Sequence, residues 1–305
     1  MLDVTLANPR ADRVKQVRAL SGRSARSRHG LFLVEGPQGV REAVRWAPGR
    51  IRDVYLTAAA AGRYPEIVAA VDDAVGRGAP GETAAGGGSS GGTSNLRSHV
   101  ATPEVLEAMS PDAQGVLAVL RVETPSLEQA VRGARLVAVL ANVRDPGNAG
   151  TVIRAADAAG ADVVVLAGES VDLHNPKTVR STAGSLFHLP VVTGVPLSDV
   201  VAGVRGEGCQ VLAADGAGDL DLDDLQDLPA RPAEDRSADL SRPTAWIFGN
   251  EAWGLPADDR ALADAVVRVP IRGRAESLNL ATAATVCLYA SSRAQRRGGA
   301  AGPSR

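Results

Sequence analysis

From Leu136 onward the apolar positions fall in short strand-like runs: Leu136–Ala141, Val163–Leu166, Val191–Thr193, Gln210–Ala214, Ala245–Phe248 and Val266–Val269. Runs this short and this apolar read as strands buried on both faces. Between them the spacing widens to the helical period, near Asn148–Ala159, Lys177–Ser181, Leu197–Arg205, Pro256–Ala263 and Leu278–Ala294. Strand and helix in alternation predict a mostly parallel α/β sheet covered by helices on both faces. The acidic stretch 219–240 interrupts the period and reads as a surface excursion.

The first 122 residues follow a different rhythm. Residues 11–30 read as an arginine-rich helix and turn. Strands are predicted at Leu31–Glu35, Ile51–Leu56 and Val116–Val122, with helices around Val40–Trp46 and Glu66–Val75. Thr102 and Pro103 open another helix that runs to Met109, proline being tolerated at a first helical position. Residues 76–98 are dense in Gly and Ser and read as a flexible insertion. The expected division is a small α/β domain over 1–122, a linker with a short helix over 123–135, and a second domain over 136–305.

Composition adds three points. Aromatics are only 3% of the chain, so both cores must be built from Ala, Val and Leu. Two cysteines, Cys209 and Cys287, are too few and too far apart for a disulfide framework or a zinc cluster, which fits a reducing cytoplasm. There is no signal peptide and no apolar stretch long enough to span a bilayer, so no membrane is expected.

The net charge of -2 does not by itself suggest nucleic acid, but its distribution does. Arg10–Arg28 holds seven basic residues and one acid, and Arg293–Arg305 holds four arginines and no acid. Asp215–Asp239 carries nine acids against two arginines. Basic ends on an otherwise acidic protein are compatible with an RNA footprint, and equally with solvated surface.

Three segments carry the chemistry: Asn142–Arg154, Ile247–Leu255 and Val269–Leu280. Each follows an apolar run and ends where a helix can begin. Each mixes glycine with Asn, Glu, Ser or Arg. Glycine lets backbone approach a ligand, and the polar side chains orient it. None matches the phosphate-binding loop G-x-x-x-x-G-K-[ST] or the dinucleotide loop G-x-G-x-x-G. Each also has a purely structural reading. Asn142 and Asn148 can cap backbone, Glu251 can face a helix start, and Ser277 can N-cap the last helix.

Taken in order, these segments resemble the SpoU (TrmH-like) RNA 2′-O-methyltransferases of the SPOUT superfamily. The second carries the family's Phe-Gly-x-Glu-x-x-Gly pattern at Phe248, Gly249, Glu251 and Gly254, with Trp253 where a small residue is usual. The third carries Pro270-Ile-x-Gly-x-x-x-Ser-Leu-Asn279. The stretch Asn175–Pro190 is also similar. Residues 10–122 resemble the ribosomal-protein-like substrate-binding domain that precedes many such catalytic domains, through the Arg-rich entry, Phe32–Gly36 and Val105-Leu106.

The resemblance implies a trefoil knot in the catalytic domain, S-adenosylmethionine as methyl donor and an RNA ribose 2′-hydroxyl as acceptor. Large-subunit rRNA is the expected substrate. A tRNA substrate, a base acceptor and a catalytically inactive ribosome-assembly factor are the alternatives. Arg154, Asn148, Glu251, Ser277 and Asn279 take the catalytic roles. Gly249, Asn250, Ile271, Gly273, Leu278 and Leu280 take the cofactor. A guanidinium ordinarily keeps its proton. Either Arg154 surrenders it, or Arg154 stabilises the developing alkoxide while another group acts as base. Arg23, Arg26, Arg28, Lys177 and Arg180 are the expected phosphate contacts, and His188 reads as a packed or hydrogen-bonded residue. A homodimer is expected from the family and from the apolar final helix.

Overall fold

The computed structural model describes residues 6–77, 96–227 and 238–298. Most of the expected Gly/Ser insertion, part of the acidic stretch and the end of the basic tail lie outside the described residues. In chain order the first elements are helices α1 (Asp12–Ala19) and α2 (Arg23–His29), strand β1 (Leu31–Glu35), α3 (Pro37–Trp46) and β2 (Ile51–Leu56). Then come α4 (Ala58–Arg63), α5 (Pro65–Arg77), β3 (Arg97–Val100), α6 (Pro103–Met109), β4 (Val116–Arg121) and α7 (Leu127–Val131). The chain continues through β5 (Leu136–Ala141), α8 (Pro146–Ala159), β6 (Val163–Ala167), α9 (Pro176–Ser181), β7 (Val191–Val195), α10 (Leu197–Gly206) and β8 (Gln210–Ala214). It closes with β9 (Leu220–Asp221), α11 (Leu222–Asp227), β10 (Thr244–Phe248), α12 (Ala257–Arg260), β11 (Ala265–Arg268) and α13 (Leu280–Gly298).

Two compact units result. One comprises Met1–Glu123 with His174–Phe187, the other Thr124–Leu173 with His188–Arg305. The first unit holds a four-stranded sheet in the order β1-β4-β2-β3, antiparallel except for β2 with β3. Val14 and Val17 of α1 and Val105, Leu106 and Met109 of α6 bury one face against Leu33, Tyr55, Leu117 and Val119. α9 packs on β1 of this unit. There Arg180 pairs with the buried Glu35, which also accepts a hydrogen bond from Ser110 Oγ at 2.5 Å.

The second unit is built on a seven-stranded parallel sheet in the order β7-β6-β5-β10-β8-β11-β9. β5 and β6 are buried along their whole length, as strands covered on both faces must be. α10 lays Leu197, Val200, Val201 and Val204 against Val137, Val139, Val163, Val165 and Ile247. α13 covers the opposite face at β5 and β10, beside α8. There Trp246 is fully buried, and its indole N–H donates to Ser291 Oγ at 2.9 Å. Burial pushes the thiols of Cys209 and Cys287 up to about 11 and about 12. Neither is a nucleophile near neutral pH.

Several expectations shift in detail. The arginine-rich entry is two helices, because the first ends at a turn through Ser21 and Gly22. β3 begins inside the expected insertion, at Arg97. β9 and α11 sit inside the expected acidic excursion. The helix expected over Pro256–Ala263 is only Ala257–Arg260.

Trp246→Ala should lower the stability of the second unit by about 3–5 kcal/mol. Ser291→Ala leaves the indole N–H buried without its partner and should cost about 1–3 kcal/mol. Urea denaturation of the two variants beside the parent measures both.

Candidate active site

In the second sheet the strand order runs out in opposite directions from the β5–β10 pair. α8 carries the chain from β5 to β6 on one side, while β8 and β11 lie on the other. In open parallel sheets, ligands bind at such a reversal, beyond the carboxyl ends of the strands. The loops after β5, β8, β10 and β11 gather here, so the three glycine- and asparagine-bearing segments lie at one edge.

The loop after β10 is a tight turn. Asn250 N donates to Gly254 O at 3.0 Å and Gly254 N to Asn250 O at 2.9 Å. Inside it, Asn250 Oδ1 accepts from Ala252 N at 2.9 Å. Its Nδ2 donates to Asn142 O at 2.8 Å, which ties the turn to the end of β5. Gly254 has φ +67°, a conformation that disfavours side chains. Gly249 is required for space: a Cβ there would collide with the Gly254 carbonyl and lie 2.7 Å from Leu255 N.

Beside the turn runs a chain of amides with a single direction. Asn279 Oδ1 accepts from Ala281 N at 2.9 Å and Thr282 N at 3.4 Å, so Asn279 caps α13. Its Nδ2 must then point outward, and it donates to Asn148 Oδ1 at 3.0 Å. Asn148 Nδ2 in turn donates to Glu251 Oε1 at 3.1 Å. Asn148 itself is placed by Asp145, which caps α8 by accepting from Asn148 N at 2.7 Å. One residue from each segment is thus joined in a hydrogen-bonded line that ends on a carboxylate.

The line borders a cavity of about 550 Å³. Val267, Val269, Ile271, Leu278, Leu280 and Ala283 form its apolar wall. Gly216, Gly249 and Gly254 give it backbone edges, and Asp215, Glu251 and Glu276 are its charged side chains. None of the described residues that line it is Lys, Arg or His. Trp253 faces outward at 54% exposure, with the Arg144 guanidinium 5.5 Å over its ring.

The structure gathers most of the residues read from sequence. Asn148, Gly249, Asn250, Glu251, Ile271, Ser277, Leu278, Asn279 and Leu280 all line the cavity. Gly273 does not, and a Cβ there would meet nothing. Ser277 is exposed and caps no helix, since Asn279 does so and α13 starts at Leu280 instead of Leu278. Arg154 lies on the exposed side of α8, outside the cavity, with no hydrogen bond or ion pair among the described residues. Asp215 and Glu276 were not foreseen, and only the position of Asp215 just after an apolar run could have flagged it.

Of the expected phosphate contacts, Arg23 and Arg28 are exposed. Arg26 has to be withdrawn. It is 4% exposed, and its guanidinium donates to Leu20 O at 2.9 Å and Ser21 O at 2.6 Å, closing the turn between α1 and α2. Arg180 is engaged by Glu35 and by Asp112 at 2.9 Å, while Lys177 is exposed on the same helix. His188 is exposed and hydrogen-bonded through Nδ1 to Asp157 at 2.8 Å.

Comparison with known proteins places this geometry. Residues 135–289 match the SpoU rRNA Methylase family. A Bacillus subtilis relative, the 23S rRNA (guanosine(2553)-2′-O)-methyltransferase RlmP, is 32% identical over 280 residues, covering 91% of this chain and 94% of the relative. The chain belongs to the SpoU family. Another relative is the 23S rRNA (uridine(2479)-2′-O)-methyltransferase of Streptomyces viridochromogenes, 38% identical over 57% of this chain. That alignment spans 58% of the relative's length. Among solved structures, an AdoMet-bound rRNA methyltransferase from Sinorhizobium meliloti superposes with a TM-score of 0.73 at 27% identity, covering 96% of this chain and 97% of that one. The SpoU methyltransferase AviRb from Streptomyces viridochromogenes, in complex with AdoMet, gives 0.72 at 31% identity, over 95% and 100%.

Asn279 serves both a helix and the amide line, and substitution separates the two. Asn279→Ala should cost about 1 kcal/mol through the lost cap. Asn279→Asp keeps the cap and should melt near the parent, yet it sets an acceptor against Asn148 Oδ1. Thermal melts of both variants check the first effect. A crystal structure of the Asp variant, with the Asn148 amide turned over, checks the second.

Proposed function

We propose that this SpoU protein transfers a methyl group from S-adenosylmethionine to a ribose 2′-hydroxyl of large-subunit ribosomal RNA. The observation that carries the reading is the charge of the cavity. Three carboxylates and no cation among the lining residues, with Arg260 3.8 Å from Asp215, around an apolar wall and glycine edges, suit a positively charged adenosine derivative. A phosphate-bearing cofactor would call for the opposite charge. The names of the relatives supply the acceptor: two are 23S rRNA ribose methyltransferases, and two solved neighbours hold AdoMet.

Gly249, Gly254 and Gly216 would take the adenosine by backbone, against Ile271 and Leu280. When bound, the cofactor supplies an electrophilic methyl group on a sulfonium. Positioning the hydroxyl in line with that methyl accounts for much of the rate in such a transfer. Asn148 and Glu251 would orient the ribose, because their amide line already fixes which atoms donate. Arg154 lies outside its own chain's cavity, on a helix packed against α13. Val286 and Tyr289 of α13 are large apolar side chains left exposed. These features support a homodimer in which Arg154 completes the partner's site and stabilises the developing alkoxide. The first unit would hold the RNA.

Tritium from labelled S-adenosylmethionine should enter 23S rRNA, and the product should carry its methyl on a ribose. A methyl found on a base, or no transfer to rRNA or tRNA, overturns the proposal. Arg154→Ala should lower turnover at least about 10²-fold, the scale of losing one group that stabilises developing charge, while calorimetry still registers cofactor binding. Gly249→Ala should have the reverse pattern, losing cofactor binding first, because its Cβ displaces the backbone that forms the cavity edge. Light scattering should give a dimer, and Tyr289→Glu should give a monomer.

A further inference from the structure

The first unit carries a second cluster that the cavity does not use. Asp53, on β2, is buried with its side chain 2% exposed. Its Oδ2 takes Arg52 Nε at 3.0 Å, and its Oδ1 takes Arg97 Nε at 3.2 Å and His99 Nε2 at 3.2 Å. Arg13, reaching over from α1, puts Nη1 3.2 and 3.4 Å from the two ring nitrogens of His99. The sheet explains the convergence. Asp53 pairs in register with Arg97, and Tyr55 with His99, so all four share one face. A register shift between Ile51 and Asp53 inserts Arg52 beside them. Tyr55 stacks on His99 with centroids 4.9 Å apart and holds the ring in place.

A buried carboxylate needs compensation, but this cluster exceeds it. Arg13, Arg52 and Arg97 against Asp53 leave two positive charges. Burial alone would raise the Asp53 carboxyl. The hydrogen bond with His99 and the charges of Arg97 and Arg52 bring it below its usual value, so it stays ionised. Arg52 and Arg97 are held by Nε, and their terminal amino groups have no other partner among the described residues. The Arg52 and Arg97 side chains are 38% and 51% exposed, so both guanidinium groups can be reached from solvent. The His99 ring lies between Asp53 and Arg13, so it positions the Arg13 guanidinium beside the pair without neutralising it.

Accessible arginines gathered around a buried carboxylate offer the donors that phosphate oxygens match, and arginine's weak hydration favours the exchange. We infer that Arg13, Arg52 and Arg97 form a clamp for consecutive phosphodiester groups of RNA on the first unit. The inference rests on the RNA reading above and moves the main phosphate contacts from α2 to the edge formed by α1, β2 and β3.

The test is the salt dependence of binding to a labelled 23S rRNA transcript between about 50 and 200 mM salt. Arg13 does not touch Asp53, so Arg13→Gln leaves the buried ion pairs whole. It should lower the log–log salt slope by about 0.7–0.9. Arg13→Gln with Arg97→Gln should lower it by about 1.4–1.8, two contacts' worth. Arg63→Gln, an equal change of charge on exposed α4, should leave the slope alone. Thermal melts and S-adenosylmethionine binding, expected unchanged in Arg13→Gln, show that the variant is folded. A parental slope in folded Arg13→Gln, or an equal fall in Arg63→Gln, overturns the clamp while the methyl-transfer reading stands. Binding of inorganic phosphate that weakens in the variants with no change in the RNA slope likewise overturns it. A parent protein that binds no rRNA and methylates none overturns both.

Discussion

The direction of one amide depends on the start of α13. Backbone N–H groups can only donate, so Asn279 must turn its oxygen inward and its amino group toward Asn148. Asn148 must then present its amino group to Glu251. A flexible amide pair in water has no such preference. Here the last helix imposes a polarity that passes through two side chains and arrives at a carboxylate on another loop. The geometry at Glu251 is therefore set by a helix terminus in a distant part of the sequence.

The rest of the site follows the same economy of side chains. Where the cavity needs shape, glycine withdraws and lets backbone form the wall, as at Gly249. Where it needs charge, it uses carboxylates alone. Cations are placed elsewhere: Arg144 over Trp253, Arg154 on the outer side of α8, and Arg13, Arg52 and Arg97 in the first unit. Mixed in one pocket, these charges would cancel.

Much of this was legible in the sequence because it is periodic or local. The buried strands β5, β6, β8 and β10 announce themselves as apolar runs, and the motif residues follow directly on strand ends. What was not legible depends on contacts between distant positions. Ser277 and Asn279 are both good caps, and only the packing of α13 chooses Asn279. Arg26 looks like its neighbours Arg23 and Arg28 in a basic run, yet the turn at Ser21 needs its guanidinium for two carbonyls. β3 is four residues next to a Gly/Ser-rich tract, and its identity as a strand comes from pairing with β2. Arg154 stands six residues beyond Asn148, nearly two helical turns, so the helical period already sets it on another face from Asn148, and the motif alone hid this.

The discontinuity of the first unit has a consequence for the order of events on the ribosome. Its segment His174–Phe187 is translated after Thr124–Leu173, which belongs to the other unit. Until Arg180 emerges, Glu35 on β1 has no guanidinium beside it, although its side chain is 5% exposed in the finished structure. A buried carboxylate without a cation is strongly disfavoured. At about 5–20 residues per second, the interval between Glu123 and Phe187 lasts on the order of 3–13 seconds. During that time the nascent first unit has reason to stay open around β1. The nascent chain therefore passes through this open state before synthesis of the second unit is complete.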